Sequence, residues 1–268
     1  MGAEGQTDGT VGKALEVLDM VASFGRPVRF AELLAESSFP KATLYRLIQT
    51  LAHQGMLAFD PERGTYAPGV RLVRLAHAAW AMSSLAPIAR PFLDELAAAT
   101  GETLHLAQLD NGFVLYVDKR NAARPVEMFA QAGKVGPAYC TGVGKAMLAF
   151  LPEDQLAAAL ARQSFHRHTP QTITTPQELM AELAAIRARG HAFDREEHEP
   201  GIICCAAPIL TRGGRVLGAL SVTSTTARTT LAELEARAGD IKAIAARIAG
   251  EAESWRFPEQ EHRGGTGR

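Results

Sequence analysis

Leu44, Leu47, Ile48 and Leu51 recur at i, i+3, i+4 and i+7, the spacing that gathers one buried face on an α-helix. At roughly 100° per residue the opposite face carries Ala42, Arg46, Gln49 and His53, with Thr43, Tyr45 and Thr50 on its flanks. Pro40 suits the first turn, where a missing N–H costs nothing. Upstream, Ala14, Leu15, Val17, Leu18, Val21 and Ala22 form another helical stripe, with Thr10 as its expected N-cap and Gly25-Arg26-Pro27 as its end. Leu33 and Leu34 mark a short helix over Phe30–Glu36, and Ser37-Ser38-Phe39 is the turn after it. A short helix, a tight turn and a longer helix make a helix-turn-helix.

Gly55 suits the C-terminal end of the longer helix. Met56–Phe59 and Thr65–Ala67 read as strands around the turn Asp60–Gly64. A hairpin directly after a helix-turn-helix is a wing, so residues 10–69 form one winged unit. Val70–Met82 is helical again and makes 70–85 a linker helix; its Trp80 is expected at an interface or in the core. Ile88–Thr100 is a further helix. From Glu102 the period changes to two. Thr103–Leu109 reads as a half-buried strand, paired with Phe113–Asp118 across Asn111-Gly112, and Val126–Ala130 as a third. Helices follow over Val143–Leu151, Pro152–Gln163 and Pro176–Arg189, then strands over Ile202–Leu210 and Val216–Thr223, then one helix over Thr230–Ala252. The fold class is α+β: a winged helix-turn-helix, a linker helix, and a domain over 86–253 with an antiparallel sheet flanked by helices. Residues 1–9, polar and glycine-rich, are expected to be disordered, and 254–268 to form a flexible tail.

A length of 268 residues fits two domains. No apolar run approaches a membrane span, the start is too polar for a signal peptide, and Gln6 stands where a myristoylation motif wants Ser or Thr, so no membrane partner is expected. Cys140, Cys204 and Cys205 are an odd set, which points to a reducing cytoplasm rather than a disulfide framework. The formal net charge is −1, so any attraction for nucleic acid must be local. The outward face of the 41–53 helix supplies such a feature, carrying Lys41 and Arg46 and no carboxylate. Arg46 and Gln49 can read base edges, while Lys41, Thr43 and Tyr45 can hold phosphates. Arg63 at the wing tip can reach the sugar-phosphate backbone. The candidate DNA-binding set is therefore Lys41, Ala42, Thr43, Tyr45, Arg46, Gln49, His53 and Arg63. Alone, this face fits a plain solvated helix surface as well; the short helix before it and the wing after it favour DNA.

Thr141-Gly142-Val143-Gly144-Lys145 is not a P-loop, because Tyr139 and Ala146 stand where glycine and a hydroxyl residue are required. It reads either as a plain helix start or as a loop whose N–H groups and dipole receive an anion such as a carboxylate. Asp194, Glu196, Glu197 and His198, with Cys204, Cys205, His166 and His168, are metal-ligating types without CxxC or HExxH spacing, so no metal or other cofactor is expected. Cys204 with His198 could serve a thiol enzyme or a metal-binding sensor, but a strand cysteine is usually an inert small hydrophobe and no third orienting group is implied. No catalytic residue is assigned.

From Val11 to Ala252 the chain resembles the IclR family of bacterial transcriptional regulators. The resemblance is carried by Lys13-Ala14-Leu15, Val17-Leu18-Asp19, Pro40-Lys41-Ala42-Thr43, Arg46-Leu47 and Gly64-Thr65-Tyr66. In the second half it is carried by Thr141–Ala146, Glu196–Gly201, Cys204, Ala207-Pro208 and Gly218–Val222. Ser38 departs from the glycine usual in the turn, and Cys205 from an aliphatic residue. A left-handed Ser38 would be strained. The resemblance implies a GAF-like C-terminal domain that binds a small effector, and a homodimer or dimer of dimers. It implies an effector pocket lined by Gly142, Val143, Asp194, Cys204, Ser221 and Thr223, with Met128 as a wall. Hydroxyls at Ser221 and Thr223 share one sheet face, and Asp194 would repel a bare carboxylate, so a small hydroxylated or aromatic acid is the expected effector. The expected protein is a ligand-responsive regulator of a catabolic operon, binding a palindromic double-stranded operator.

Overall fold

The computed structural model describes residues 9–83, 85–124 and 127–254, with the side chains of all of these but 80–83 and 254. The expectations for Trp80, for Val126, for the disordered start before Gly9 and for the tail after Ser254 lie outside the described residues and side chains. The chain divides into two compact units between Met82 and Ser83. Among the described residues no helix is long and apolar enough to cross a membrane.

The first unit runs α1 (Thr10–Ser23), β1 (Val28–Arg29), α2 (Phe30–Glu36), α3 (Lys41–His53), β2 (Leu57–Asp60), β3 (Thr65–Pro68) and α4 (Val70–Ser83). Its core joins Val17 and Val21 of α1, Leu33 of α2 and the Leu44, Leu47, Ile48 and Leu51 stripe of α3 to Leu57 and Tyr66 of the hairpin. Burying such side chains is the main favourable term holding a unit of this size. Thr10 is not the N-cap: it is the first helical residue, Gly9 precedes it, and no side chain caps the helix. Pro40 likewise stands just before α3 rather than inside its first turn. The turn before α3 needs no left-handed residue. Ser37 leaves α2 in an extended conformation and its hydroxyl accepts the Phe39 N–H at 3.0 Å. Ser38 is absent from the positive-φ residues, so the strain expected there does not arise. The short β1 adds a third strand to the hairpin, pairing Val28 with Tyr66 and Arg29 with Thr65. At the hairpin tip the Asp60 carboxylate accepts the Glu62 and Arg63 N–H groups at 2.9 and 3.2 Å.

The second unit begins with α5 (Ala86–Thr100), β4 (Thr103–Asp110), β5 (Phe113–Arg120) and β6 (Val135–Gly136). It continues with α6 (Gly142–Leu148), α7 (Glu153–Leu160), α8 (Pro176–Arg189), β7 (Ala192–Arg195), β8 (Ile202–Leu210), β9 (Val216–Thr225), α9 (Leu231–Ala236) and α10 (Ala238–Ser254). The six strands form one antiparallel sheet in the order β6-β5-β4-β9-β8-β7. Helix α6 packs on the sheet through β4, β7, β8 and β9, α5 through β4 and β5, and α10 through β8 and β9. Residues 103–107 are consequently buried on both faces, not half-buried as their alternation suggests.

Two further expectations are corrected. Residues 127–130 are irregular, and the strand beside β5 is Val135–Gly136. The Phe129 N–H is taken by the Glu199 carboxylate at 2.9 Å, and a turn from Gln131 to Lys134 delivers Val135 to β5. The last helix is broken at Arg237, after a short α9 capped by Thr230 and Glu233.

Candidate functional site

The first candidate surface is α3 with the hairpin. Because the leucine stripe is spent on the core, Lys41, Ala42, Tyr45, Arg46, Gln49 and His53 are exposed and Thr43 is half-buried. Arg63 is exposed at the hairpin tip, 3.9 Å from Asp60. Two of these side chains are held in place. The Gln49 amide donates to the Tyr66 hydroxyl at 3.2 Å, tying the helix to β3, and the Tyr45 ring meets Phe30 edge-on at 5.8 Å. Among the described residues neither Lys41 nor Arg46 forms an ion pair, so both cations are available to a partner.

The second site lies on the face of the sheet that α6 covers. Antiparallel register aligns Asp194 of β7, Cys204 of β8, Thr223 of β9 and Thr103 of β4 in one row. The next row on the same face holds Ala192, Ala206, Ser221 and His105. Helix α6 comes down on these rows at Gly142, where a Cβ would overlap the Cys204 Sγ; only glycine allows that approach. Val143, Met128, Asp194, Cys204, Ser221 and Thr223 are all buried. The structure therefore brings Gly142, Asp194, Cys204, Ser221 and Thr223 together; Val143 is buried on α6 beside Gly142, and Met128 is buried in the irregular stretch before β6.

Hydrogen bonds and charge define the chemistry. The Ser221 and Thr223 hydroxyls are 3.2 Å apart, and Thr223 Oγ1 is 3.1 Å from His105 Nδ1. Asp194 Oδ1 accepts the Glu197 N–H at 2.8 Å. Burial, and then the Glu197 charge, push the Asp194 carboxyl up to about 7. Burial raises the Cys204 thiol well above its ordinary range, so no thiolate nucleophile is available there. Cys205 alternates to the opposite face, toward Glu235 and Lys242, and plays no part in this site. The His198 ring packs on Phe129 and His168, with Nδ1 3.8 Å from Glu199. The Thr141 hydroxyl donates to the Pro137 carbonyl at 2.8 Å, and no side chain caps the start of α6. Among the described residues no group of three or more metal-ligating side chains is arranged to hold an ion.

Sequence reasoning missed His105 and gave Lys145 no role. His105 faces the covered side of a strand, which its alternation with Thr103 and Ala107 could have signalled had the covering helix been recognised. Lys145 is fully buried and ion-paired with Glu197, whose position 52 residues downstream no local spacing could reveal. A cleft of about 770 Å³ opens elsewhere, between Arg167, Thr174, Glu178, Glu182, Arg195 and Glu197, and none of the expected pocket residues lines it.

Comparison with known proteins places these features. Residues 10–61 match the IclR helix-turn-helix domain and residues 77–250 the bacterial transcriptional regulator IclR C-terminal domain. The HTH-type transcriptional regulator XynR of Escherichia coli K12 is 32% identical over 225 residues, 84% of this chain and 89% of that protein. The crystal structure of Thermotoga maritima IclR superposes with a TM-score of 0.72 at 29% identity, covering 90% of this chain and 98% of the other. An IclR homologue from Microbacterium hydrocarbonoxydans, solved in complex with 4-hydroxybenzoate, shares the fold with a TM-score of 0.79 at 20% identity, covering 91% of this chain and 99% of the other. With both halves matched in order and a relative aligned over most of its length, the chain belongs to the IclR family of bacterial transcriptional regulators.

Proposed function

We propose that this regulator binds a palindromic double-stranded operator near catabolic genes and that a small organic acid, held in a GAF-like C-terminal domain, modulates that binding. The protein acts in the cytoplasm, where its three free cysteines stay reduced. Arg46 and Gln49 read bases, while Lys41, Thr43, Tyr45 and Arg63 engage the backbone beside Ala42 and His53. A homodimer or dimer of dimers sets two α3 helices in successive major grooves. Exposure of Val70, Val73 and Leu75 on α4 supports pairing with a second copy.

The observation that carries the effector reading is one buried sheet face with interlinked hydroxyls at Ser221 and Thr223 beside the uncapped start of α6. The acid's carboxylate lies at Gly142 and Val143, its polar substituents meet Ser221, Thr223 and Asp194, and Met128 and Cys204 close the walls. The acid acts only through its different affinity for DNA-competent and DNA-incompetent states.

Ser221→Ala with Thr223→Val should weaken acid binding in calorimetry on the full chain while leaving ligand-free operator binding in gel shifts intact. A coupling of ~1–3 kcal/mol between acid and operator is expected. Turnover of the bound acid, abolished by Cys204→Ala, would replace the sensor with an enzyme.

A further inference from the structure

We propose that His105 recognises a hydroxyl group on the effector, so that the pocket selects hydroxylated small acids over their unhydroxylated counterparts. This rests on the pocket reading above and adds the residue and the group that set its selectivity.

His105 stands opposite Ser221 in the β4–β9 register, on the face that carries Asp194, Cys204 and Thr223. Its side chain is buried, with the residue 3% exposed. One edge of the ring is occupied: Nδ1 lies 3.1 Å from Thr223 Oγ1, which lies 3.2 Å from Ser221 Oγ. Tyr116 packs edge-on against the ring at 5.6 Å and fixes its plane. The Ala130 carbonyl approaches the ring as a weak acceptor but falls outside good hydrogen-bond geometry, so Nε2 is buried without a well-formed hydrogen bond. Buried polar atoms in folded proteins are ordinarily paired, so an orphan nitrogen in a ligand pocket marks a place where the ligand supplies the partner.

The chemistry of that partner follows from the ring. Burial holds the imidazole neutral, its pKa brought down to about 3, so it offers a carboxylate no ion pair. A neutral ring has one N–H and one lone pair, and the Ser221–Thr223 hydroxyls decide which faces the pocket. If Thr223 accepts from Nδ1, Nε2 needs a donor; if Thr223 donates to Nδ1, Nε2 needs an acceptor. A hydroxyl satisfies both states, whereas a carboxylate satisfies only the second. On the pocket reading above, the acid's carboxylate lies at Gly142 and Val143. The ligand class is therefore a small carboxylic acid bearing a hydroxyl.

Titration calorimetry on the full chain with matched pairs tests this: 4-hydroxybenzoate against benzoate, lactate against propionate, glycolate against acetate. At least one hydroxylated acid should bind about tenfold or more tightly than its partner, the fold-change expected for one buried hydrogen bond. His105→Phe keeps an aromatic ring and removes the nitrogens, and it should bring that ratio close to one by weakening the hydroxylated member. His105→Gln should retain part of the preference. Both variants are compared with the wild type in thermal unfolding and ligand-free operator binding. A readout without any substitution is the Nε2 nitrogen resonance of the wild-type chain, which should move with the hydroxylated acid and not with its partner. Equal affinity within every pair, an unmoved resonance, or a preference that survives His105→Phe overturns the assignment while leaving the pocket. Failure of every acid to bind removes the pocket reading, and this inference with it.

Discussion

Asp194 sits in the same buried row as Cys204 and Thr223, and burial together with the Glu197 charge pushes its carboxyl up to about 7. An unfolded chain holds an aspartate near 4. The folded value is the higher one, so folding favours the neutral acid. That contribution is complete below about pH 4 and is lost as pH rises through about 7. Asp194→Asn is permanently neutral, nearly isosteric, and still accepts the Glu197 N–H. Its stability relative to the wild type should rise between pH 4 and 7 by on the order of 2–4 kcal/mol. Urea unfolding at stepped pH measures this, and a difference that stays flat would contradict a neutral Asp194. With its carboxyl near 7, about half of Asp194 is neutral at pH 7, and on the proposed reading that form donates a hydrogen bond to the acid instead of repelling it. Composition hid this, since an isolated Asp reads as a charge until its burial is known. Cys205 was ambiguous for a related reason, because which of two adjacent strand residues faces a pocket depends on register.

Helix α6 is seven residues long and buried throughout, Lys145 included. Its ammonium is ion-paired with Glu197, and Glu197 in turn gives its N–H to Asp194. Helix α6 and the Asp194 carboxyl are thus braced by one buried pair. Lys145→Met should destabilise the C-terminal unit by ~3–5 kcal/mol, because it leaves the buried Glu197 carboxylate with only the half-exposed Arg195 guanidinium, 3.9 Å away, as a charge partner. Adding Glu197→Gln should restore most of that stability, since removing both charges relieves the desolvation penalty. Denaturant unfolding of the full chain followed by a C-terminal probe makes the comparison; equal destabilisation in single and double variants would show that the pair is not the brace. Elements of this kind separate what was legible from what was not. The α3 stripe was readable because four apolar residues repeat at helical spacing over more than two turns. Strands β4, β8 and β9 were readable from their length. Strands β1 and β6, of two residues each, are too short to display a period, and β7, of four, lacks the tight turn that revealed the equally short β2 and β3. The misplaced third strand turns on a carboxylate 70 residues away, which leaves the apolar pattern unaltered, and the break at Arg237 is likewise invisible in that pattern.

Over the whole molecule the formal net charge is −1, so nothing global draws this regulator to DNA. On the proposed reading the exposed cations Lys41 and Arg46 on α3 and Arg63 on the hairpin do so locally, and their roles should differ. Arg46 and Gln49 face outward from the buried stripe, where a recognition helix meets base edges. Arg46→Ala or Gln49→Ala should cost ~1–3 kcal/mol on the operator and relax the preference at one position of each half-site. Lys41→Ala and Arg63→Ala should instead weaken operator and random duplex alike, and lower the slope of log affinity against log salt by about 0.9 for each phosphate no longer neutralised. Binding of all four variants to the operator and to a scrambled duplex, measured across one common salt series, separates the two classes. A shifted sequence preference with an unaltered salt slope for Lys41→Ala would move that residue into the base-reading set. Unchanged affinity and preference in both Arg46→Ala and Gln49→Ala would mean that an element other than α3 reads the operator.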